Sequence, residues 1–550
     1  MNAQPLSLTV PKLSAKQPRS VKVRLSRVEQ WLEELTNEDH EESAQQLHRS
    51  LYAQNRLELP PHLRVRMLEL YREQVGKVVE VLRESFATKP LPLSLADHDA
   101  AVLVQNLTNE LANGYKIVVN NFIDRGANSS ADKLTQGRLR QALQRAVYQL
   151  GQVLLSIYQA HIATPKGLWR ELNQLYWYAS ANDQADQSIR TPGCGTPDGM
   201  MTLTESYQQV VLLGTCHPYS LHPDDCMRVY RSISGWQHEA EITRQLQFSI
   251  PAGRFLINLA ADSPAIPLVK IGNIEPGEYL RVLNAVGILR KLRSVIKNWE
   301  QSTDRDSIRT ENQAEANTHD GRIELLHRVG RTWSGASVTR RSNRTPSQIS
   351  VSVCIGIDAI CYFLNNEQPF SPDGPTIQET DRIPPNLVEG TVSEHDLHSI
   401  YHCETRDESA NGFRIAVTDD EHMQLQVGDL IGLEHPSWES WLVCVVRWIQ
   451  CDDQTALTFG AELVTPQASP VSVRRIGSDV NDNVPYLPAL LLPAIRSLQQ
   501  DESLIVARGT YRPPNKFEVV DSMHGSRSIL PTILMEKTAS YERVAFSSSS

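Results

Sequence analysis

Asp407-Glu408-Ser409-Ala410-Asn411-Gly412 has the form D-x-S-x-x-G, occurs once in the chain, and stands between two short runs rich in Val, Ile and aromatic residues. That context predicts the tip of a β-hairpin. Alternate residues of a strand point the same way, so the Asp407 carboxylate and Ser409 hydroxyl are expected on one face. Gly412 permits a conformation or a close approach that a side chain would obstruct. Upstream lies an arginine cluster, Arg340-Arg341-Ser342-Asn343-Arg344. Its planar guanidinium forks match phosphates and guanine edges in a way that lysine does not.

Outward from the hairpin the sequence stays β-rich. Runs at 349–364, 398–403, 412–417, 429–433, 441–448 and 457–463 are separated by turn chemistry, which predicts a small β-barrel over 331–466. Between the first two runs, 365–394 is polar with five prolines and is expected to loop out as a disordered insertion. Strand-like pieces at 488–492, 503–507, 516–520 and 528–535 predict a small β extension over 467–545.

On the N-terminal side the period changes from two to 3.6. Residues 1–20 are polar, with Pro5, Pro11 and Pro18, and are expected to be a disordered tail. From 21 to 300, helical spacing dominates: Val28, Trp31, Leu32 and Leu35, then Leu63, Met67, Leu70, Tyr71, Val75, Val78, Val79, Leu82 and Phe86 after Pro61. Short strands are expected at 255–259 and 267–271, and a closing helix at 278–299. No fixed-length repeat or catalytic motif accompanies the pattern, so an all-α helical bundle or hairpin array acting as an interaction domain is predicted. The segment 301–330 begins polar and charged and is expected to be a linker, with a short helix at 322–329.

Composition bounds the rest. At 550 residues, 40% hydrophobic and 21% charged, the chain predicts a multidomain α + β protein of ordinary globular make-up. A net charge of −10 opposes sequence-independent nucleic-acid binding. Without a run of about twenty apolar residues or a secretory leader, no membrane insertion and a cytoplasmic location are expected. The eight cysteines form no C-x-x-C pair, so neither a metal nor a disulfide framework is expected. Cys216-His217 with Asp224, Asp225 and Cys226 fits helix ends better than a metal or thiol site. No Walker or Rossmann glycine loop is present, and no catalytic residue is assigned.

The order R-x-x-x-R at Arg340 and Arg344, strand, D-x-S-x-x-G, hairpin, then Val445-Val446-Arg447-Trp448 with Gly460 beyond, resembles the PilZ domain over about 331–463. The resemblance implies a six-stranded barrel that receives the bacterial second messenger cyclic di-GMP, with no other cofactor. Arg340 and Arg344 would clasp phosphate and guanine, with Arg341 as helper; Asp407 and Ser409 would read guanine donors, and Gly412 would leave room. The gap from Arg344 to Asp407 is longer than the family pattern. A receptor is thus expected that couples cyclic di-GMP to the helical domain or a protein partner and regulates a surface-associated behaviour. The competing expectation is an adaptor whose barrel no longer binds nucleotide.

Overall fold

The computed structural model describes residues 6–16, 24–35, 39–125, 132–191, 196, 199–272, 274–302, 313–335, 343–368, 398–418, 423–452, 456–477, 484–495, 501–521 and 525–548. It divides into two compact units: Met1–Lys89 with Leu93–Thr339, and Pro90–Pro92 with Arg340–Ser550.

In the first unit, helices α1 (Leu25–Leu35), α2 (His40–Asn55), α3 (Pro61–Phe86), α4 (Leu95–Asp124), α5 (Lys133–Gln159), α6 (Leu168–Ala181), α7 (Leu203–Gly214) and α8 (Pro223–Ser234) pack around residues such as Tyr71, Leu111, Tyr115, Leu143, Leu150 and Tyr207. Their starts are chemically marked. Asp39, Ser94 and Asp132 accept amide hydrogens at the starts of α2, α4 and α5, and Thr202 with Glu205 forms a capping box on α7. A hairpin of β1 (Ile189–Arg190) and β2 (Met200–Met201) is tied to α5 by buried Arg145, which donates to the Arg190 carbonyl and the Thr191 hydroxyl, both at 2.8 Å.

Three features differ from expectation here. Residues 6–16 of the expected tail are docked: Thr9 donates its amide to Glu171 at 2.6 Å, Ser14 bridges Leu57, and Leu8 is buried. Glu171 is itself held by Lys116 at 2.8 Å, so a polar segment gains a fixed acceptor that composition alone does not reveal. The short strand expected at 255–259 is β4 (Arg254–Asn258), while of that expected at 267–271 only Pro267 is strand, in β5 (Ile266–Pro267); with β3 (Glu241–Thr243) and β6 (Leu280–Asn284) they form a small antiparallel sheet in the order β3-β6-β4-β5. The helix expected from 278 starts only at α9 (Val286–Ser302), because 280–284 pairs with β3 and β4 on its two edges. Finally, α10 (Gln313–Ser334) occupies most of the expected linker. Leu325, Leu326, Val329 and Trp333 bury one face of it, and Trp333 donates to the Leu212 carbonyl at 3.4 Å.

The second unit contains two barrels. In the first, β8 (Ser350–Ile355), β9 (Tyr401–Ser409), β10 (Gly412–Val417), β11 (Leu430–Glu434), β12 (Leu442–Cys451) and β13 (Leu457–Thr465) form a closed antiparallel ring, β10-β13-β12-β11-β8-β9 and back to β10. The two-residue β7 (Thr345–Pro346) lies beside β9. The insertion expected at 365–394 lies outside the described residues beyond 368. The later half of the 349–364 run, expected as strand, is helix α11 (Gly356–Leu364). It is apolar on nearly every side because it is buried between Leu430, Val443 and Val445 of this barrel and Leu490, Leu492, Ile505 and Tyr541 of the next.

The β extension expected after 467 is itself a closed barrel. Strands β14 (Ser469–Ile476), β15 (Leu487–Leu492), β16 (Ser503–Ala507), β17 (Lys516–Asp521), β18 (Gly525–Lys537) and β19 (Tyr541–Ser548) close in the order β14-β15-β16-β19-β18-β17 around Val471, Val473, Leu504, Phe517, Val519 and Val544. Pro90–Pro92 joins this unit through Leu91, which exchanges backbone hydrogen bonds with Leu425 at 2.9 and 2.7 Å.

Candidate functional site

The hairpin of β9 and β10 decides which side chains reach the surface. The strands pair Cys403 with Val417, Glu404 with Ala416 and Thr405 with Ile415, then shift register and resume as Asp407 with Arg414, Glu408 with Phe413 and Ser409 with Gly412. Arg406 is the extra residue. A bulge reverses the alternation of the strand beyond it, so buried Thr405 and then Glu408 face inward while Asp407 and Ser409 face outward together. Glu408 confirms the direction: its carboxylate accepts from Thr405 Oγ1 at 3.0 Å and from Nε2 of buried His435 at 3.3 Å.

Strand β7 brings in the arginine. Thr345 pairs with Glu408 and Pro346 with Asp407, and the residue just before them, Arg344, forms an ion pair with Asp407 through Nη1 and Oδ1. Ser409 Oγ donates to the Gly412 carbonyl at 3.1 Å across the hairpin end. Four of the six expected residues, Arg344, Asp407, Ser409 and Gly412, are therefore gathered at one edge of the barrel. Arg340 and Arg341 lie outside the described residues.

Gly412 is a glycine because of a backbone approach rather than a left-handed φ. A Cβ there would lie 2.4 Å from the Ala461 carbonyl oxygen, within β13. The clearance is taken up by a strand of the barrel.

The same outward row continues across the sheet: Asp407 pairs with Arg414, Arg414 with Gly460, and Gly460 with Trp448. A Cβ on Gly460 would fall 1.9 Å from Trp448 Nε1, so the indole is seated over this glycine and reaches across β13 toward the strand of exposed Arg414. Arg414 escaped the sequence reading because nothing local marks it; only the cross-strand register sets it beside Asp407. Arg447, between Trp448 and Val446, sits at a second register shift and turns to Glu462 and to Glu536 of β18, the latter at 2.7 Å.

Electrostatically the edge is mixed. Burial works to raise the Glu408 carboxyl, but hydrogen bonds from Ser347, Thr405 and His435 outweigh it and hold the group below its usual value. Among the described residues no grouping of His, Cys, Asp and Glu fits a metal ion. Cys216 and Cys226 are buried, donate to the Leu212 and Pro218 carbonyls, and have thiols pushed up by burial. No helix among the described residues is long and apolar enough to cross a membrane.

Known proteins align with this architecture in order. Three family models match: the N-terminal domain of the cyclic-di-GMP receptor FimW over 26–246, its middle PilZ domain over 254–382 and 376–470, and its C-terminal β-barrel domain over 471–549. The PilZ match begins at β4, earlier than the ring itself. A curated relative, the cyclic-di-GMP receptor FimW of Pseudomonas aeruginosa, is 24% identical over 550 aligned positions, covering 90% of this chain and 86% of that protein. The chain thus contains a middle PilZ domain, flanked by segments similar to the N-terminal and C-terminal domains of the FimW receptor.

Proposed function

We propose that this chain is a cyclic di-GMP receptor whose ligand binds the outer edge of the first barrel. The observation that carries it is the convergence of Arg344, Asp407 and Ser409 on one face of the β7–β9–β10 junction. A guanine nucleotide brings phosphate charge and O6 and N7 acceptors suited to an arginine fork, and N1 and N2 donors suited to a carboxylate and a hydroxyl. Arg340 and Arg341, just upstream, add cationic reach, and Gly412 lets β10 close on β13. Arg414 and the Trp448 indole extend the surface, one as a donor and one as a platform for a base.

The protein acts as a cytoplasmic receptor rather than an enzyme, with cyclic di-GMP as its only small-molecule requirement. Binding alters the segment leading into β7 and is passed to the helical domain or to a protein partner held by it, with a surface-associated bacterial behaviour as output.

Calorimetric titration with cyclic di-GMP tests this directly. Saturable heat from the wild type, with affinity weakened in Ser409→Ala and in Arg344→Ala, supports the receptor. Absence of heat from the intact protein favours an adaptor whose barrel only docks partners, a reading to which the ion pairing of Arg344 with Asp407 lends some weight.

A further inference from the structure

We propose, resting on the receptor reading above, that Glu408 is a positioning residue for Arg344: from the inner face its carboxylate clasps Ser347 and so holds the arginine-bearing strand β7 in register on β9. The middle letter of the Asp407-Glu408-Ser409 triplet then has a task as definite as its neighbours'. Two of the three look out at ligand, and the third looks in and sets the arginine.

Strand β7 has little else to hold it. It is two residues long, both are exposed, and Pro346 has no amide hydrogen to add to the ladder. Ser347 donates its amide to the Arg406 carbonyl at 3.2 Å, but a strand that buries no side chain gains nothing from apolar packing. Beside the Arg344–Asp407 ion pair and the bond from the Thr405 amide to the Ile349 carbonyl at 2.9 Å, the remaining polar contacts gather around Glu408 and Thr405. Glu408 Oε1 accepts from Ser347 Oγ at 2.5 Å, from Thr405 Oγ1 at 3.0 Å and from His435 Nε2 at 3.3 Å. Ser347 Oγ also lies 2.8 Å from Thr405 Oγ1, and Thr405 Oγ1 takes the Ile349 amide at 3.2 Å.

The histidine is orientated for this. His435 Nδ1 accepts the Ser437 amide at 3.1 Å, so in the neutral ring Nε2 carries the hydrogen and points it at Glu408. A charged acceptor collecting three donors makes stronger bonds than a neutral one. Arg344 is three residues before Ser347, so the clasp limits where its guanidinium can stand relative to Asp407 and Ser409.

The test uses Glu408→Gln, Ser347→Ala and Ser347→Thr in the full chain, each read two ways. Without ligand, hydrogen exchange at the Thr345 and Ser347 amides is expected to rise about tenfold in Glu408→Gln and Ser347→Ala, and to return toward wild type in Ser347→Thr. With cyclic di-GMP, the first two variants are expected to bind about tenfold more weakly. Placed in an Arg344→Lys background, which keeps charge but lacks the fork, the same changes are expected to matter by no more than about twofold, while in a Ser409→Ala background the full loss persists. Equal losses in both backgrounds, or unchanged exchange, overturn the positioning role. If the wild type fails to bind, the receptor reading falls on its own, and the exchange measurement alone decides whether the clasp exists.

Discussion

Arg344 and Asp407 are ion-paired across the junction of β7 and β9, so the cation and the carboxylate proposed to meet the ligand first neutralise each other. Their side chains are 29% and 21% exposed, and a pair so open to water is worth about 1 kcal/mol or less. Exchanging it for a phosphate and a guanine is therefore inexpensive. Arg344→Ala is expected to weaken cyclic di-GMP binding by about 2 kcal/mol or more, roughly thirtyfold, in a direct titration. An unchanged affinity would remove Arg344 from the site.

The two glycines of the outer row separate packing from binding. In Gly412→Ala the new methyl meets a backbone carbonyl at 2.4 Å, which a strand cannot easily move, so a loss of about 1–3 kcal/mol in chemical denaturation is expected. In Gly460→Ala the obstacle is the Trp448 side chain, which can leave its seat. A smaller stability loss with weakened ligand binding is the expected result, and Trp448→Ala should weaken binding by about 1–3 kcal/mol if the indole stacks on a base.

Asp429, which accepts the Gln426 amide at 2.7 Å, has its carboxyl pushed up to about 6 by burial. The folded state thus holds a proton that the unfolded chain gives up at lower pH. Its contribution to stability is intact below the ordinary aspartate range and declines as pH rises from about 4 to about 6. Asp429→Asn should flatten that part of the melting-temperature profile and raise the melting temperature at neutral pH. Glu408 acts in the opposite sense: its lowered carboxyl stabilises the fold above its unfolded value and loses that contribution as pH falls through the folded one.

Cysteine reactivity gives an independent check on both units. Cys216, Cys226, Cys354, Cys361, Cys444 and Cys451 are buried, and burial raises each thiol, to about 12 for Cys354 and Cys451. These six should resist alkylation in the native protein at pH 8 and react together on denaturation. Mass spectrometry that finds any of them modified early would place a local opening there.

Much of the second unit was legible because strands announce themselves locally. The stretches 412–417 and 503–507 match β10 and β16, and the runs from 429 onward differ from their strands mainly at the ends, whereas 398–403 shares only 401–403 with β9. Where the local signal is ambiguous, the structure departs from it. Residues 356–364 are apolar throughout, which suits a buried strand as well as a helix between two barrels. Residues 280–284 fit the helical spacing of α9, yet lie between two strands that claim their amides. Strands β14 and β19 went unread, and without them four pieces suggested an extension instead of a ring.

By itself the sequence determined the period of most elements, the charged and hydroxyl residues available to a guanine nucleotide, and the order in which they appear, since all of these are properties of neighbours along the chain. Tertiary structure alone decided that a bulge at Arg406 turns Glu408 inward and Asp407 outward, and that Arg344 meets Asp407 across 63 residues. It also put Arg414, Gly460 and Trp448 in the same row. Facing and register depend on which strand pairs with which, and that choice is made by the closed barrel as a whole rather than by any stretch of its chain.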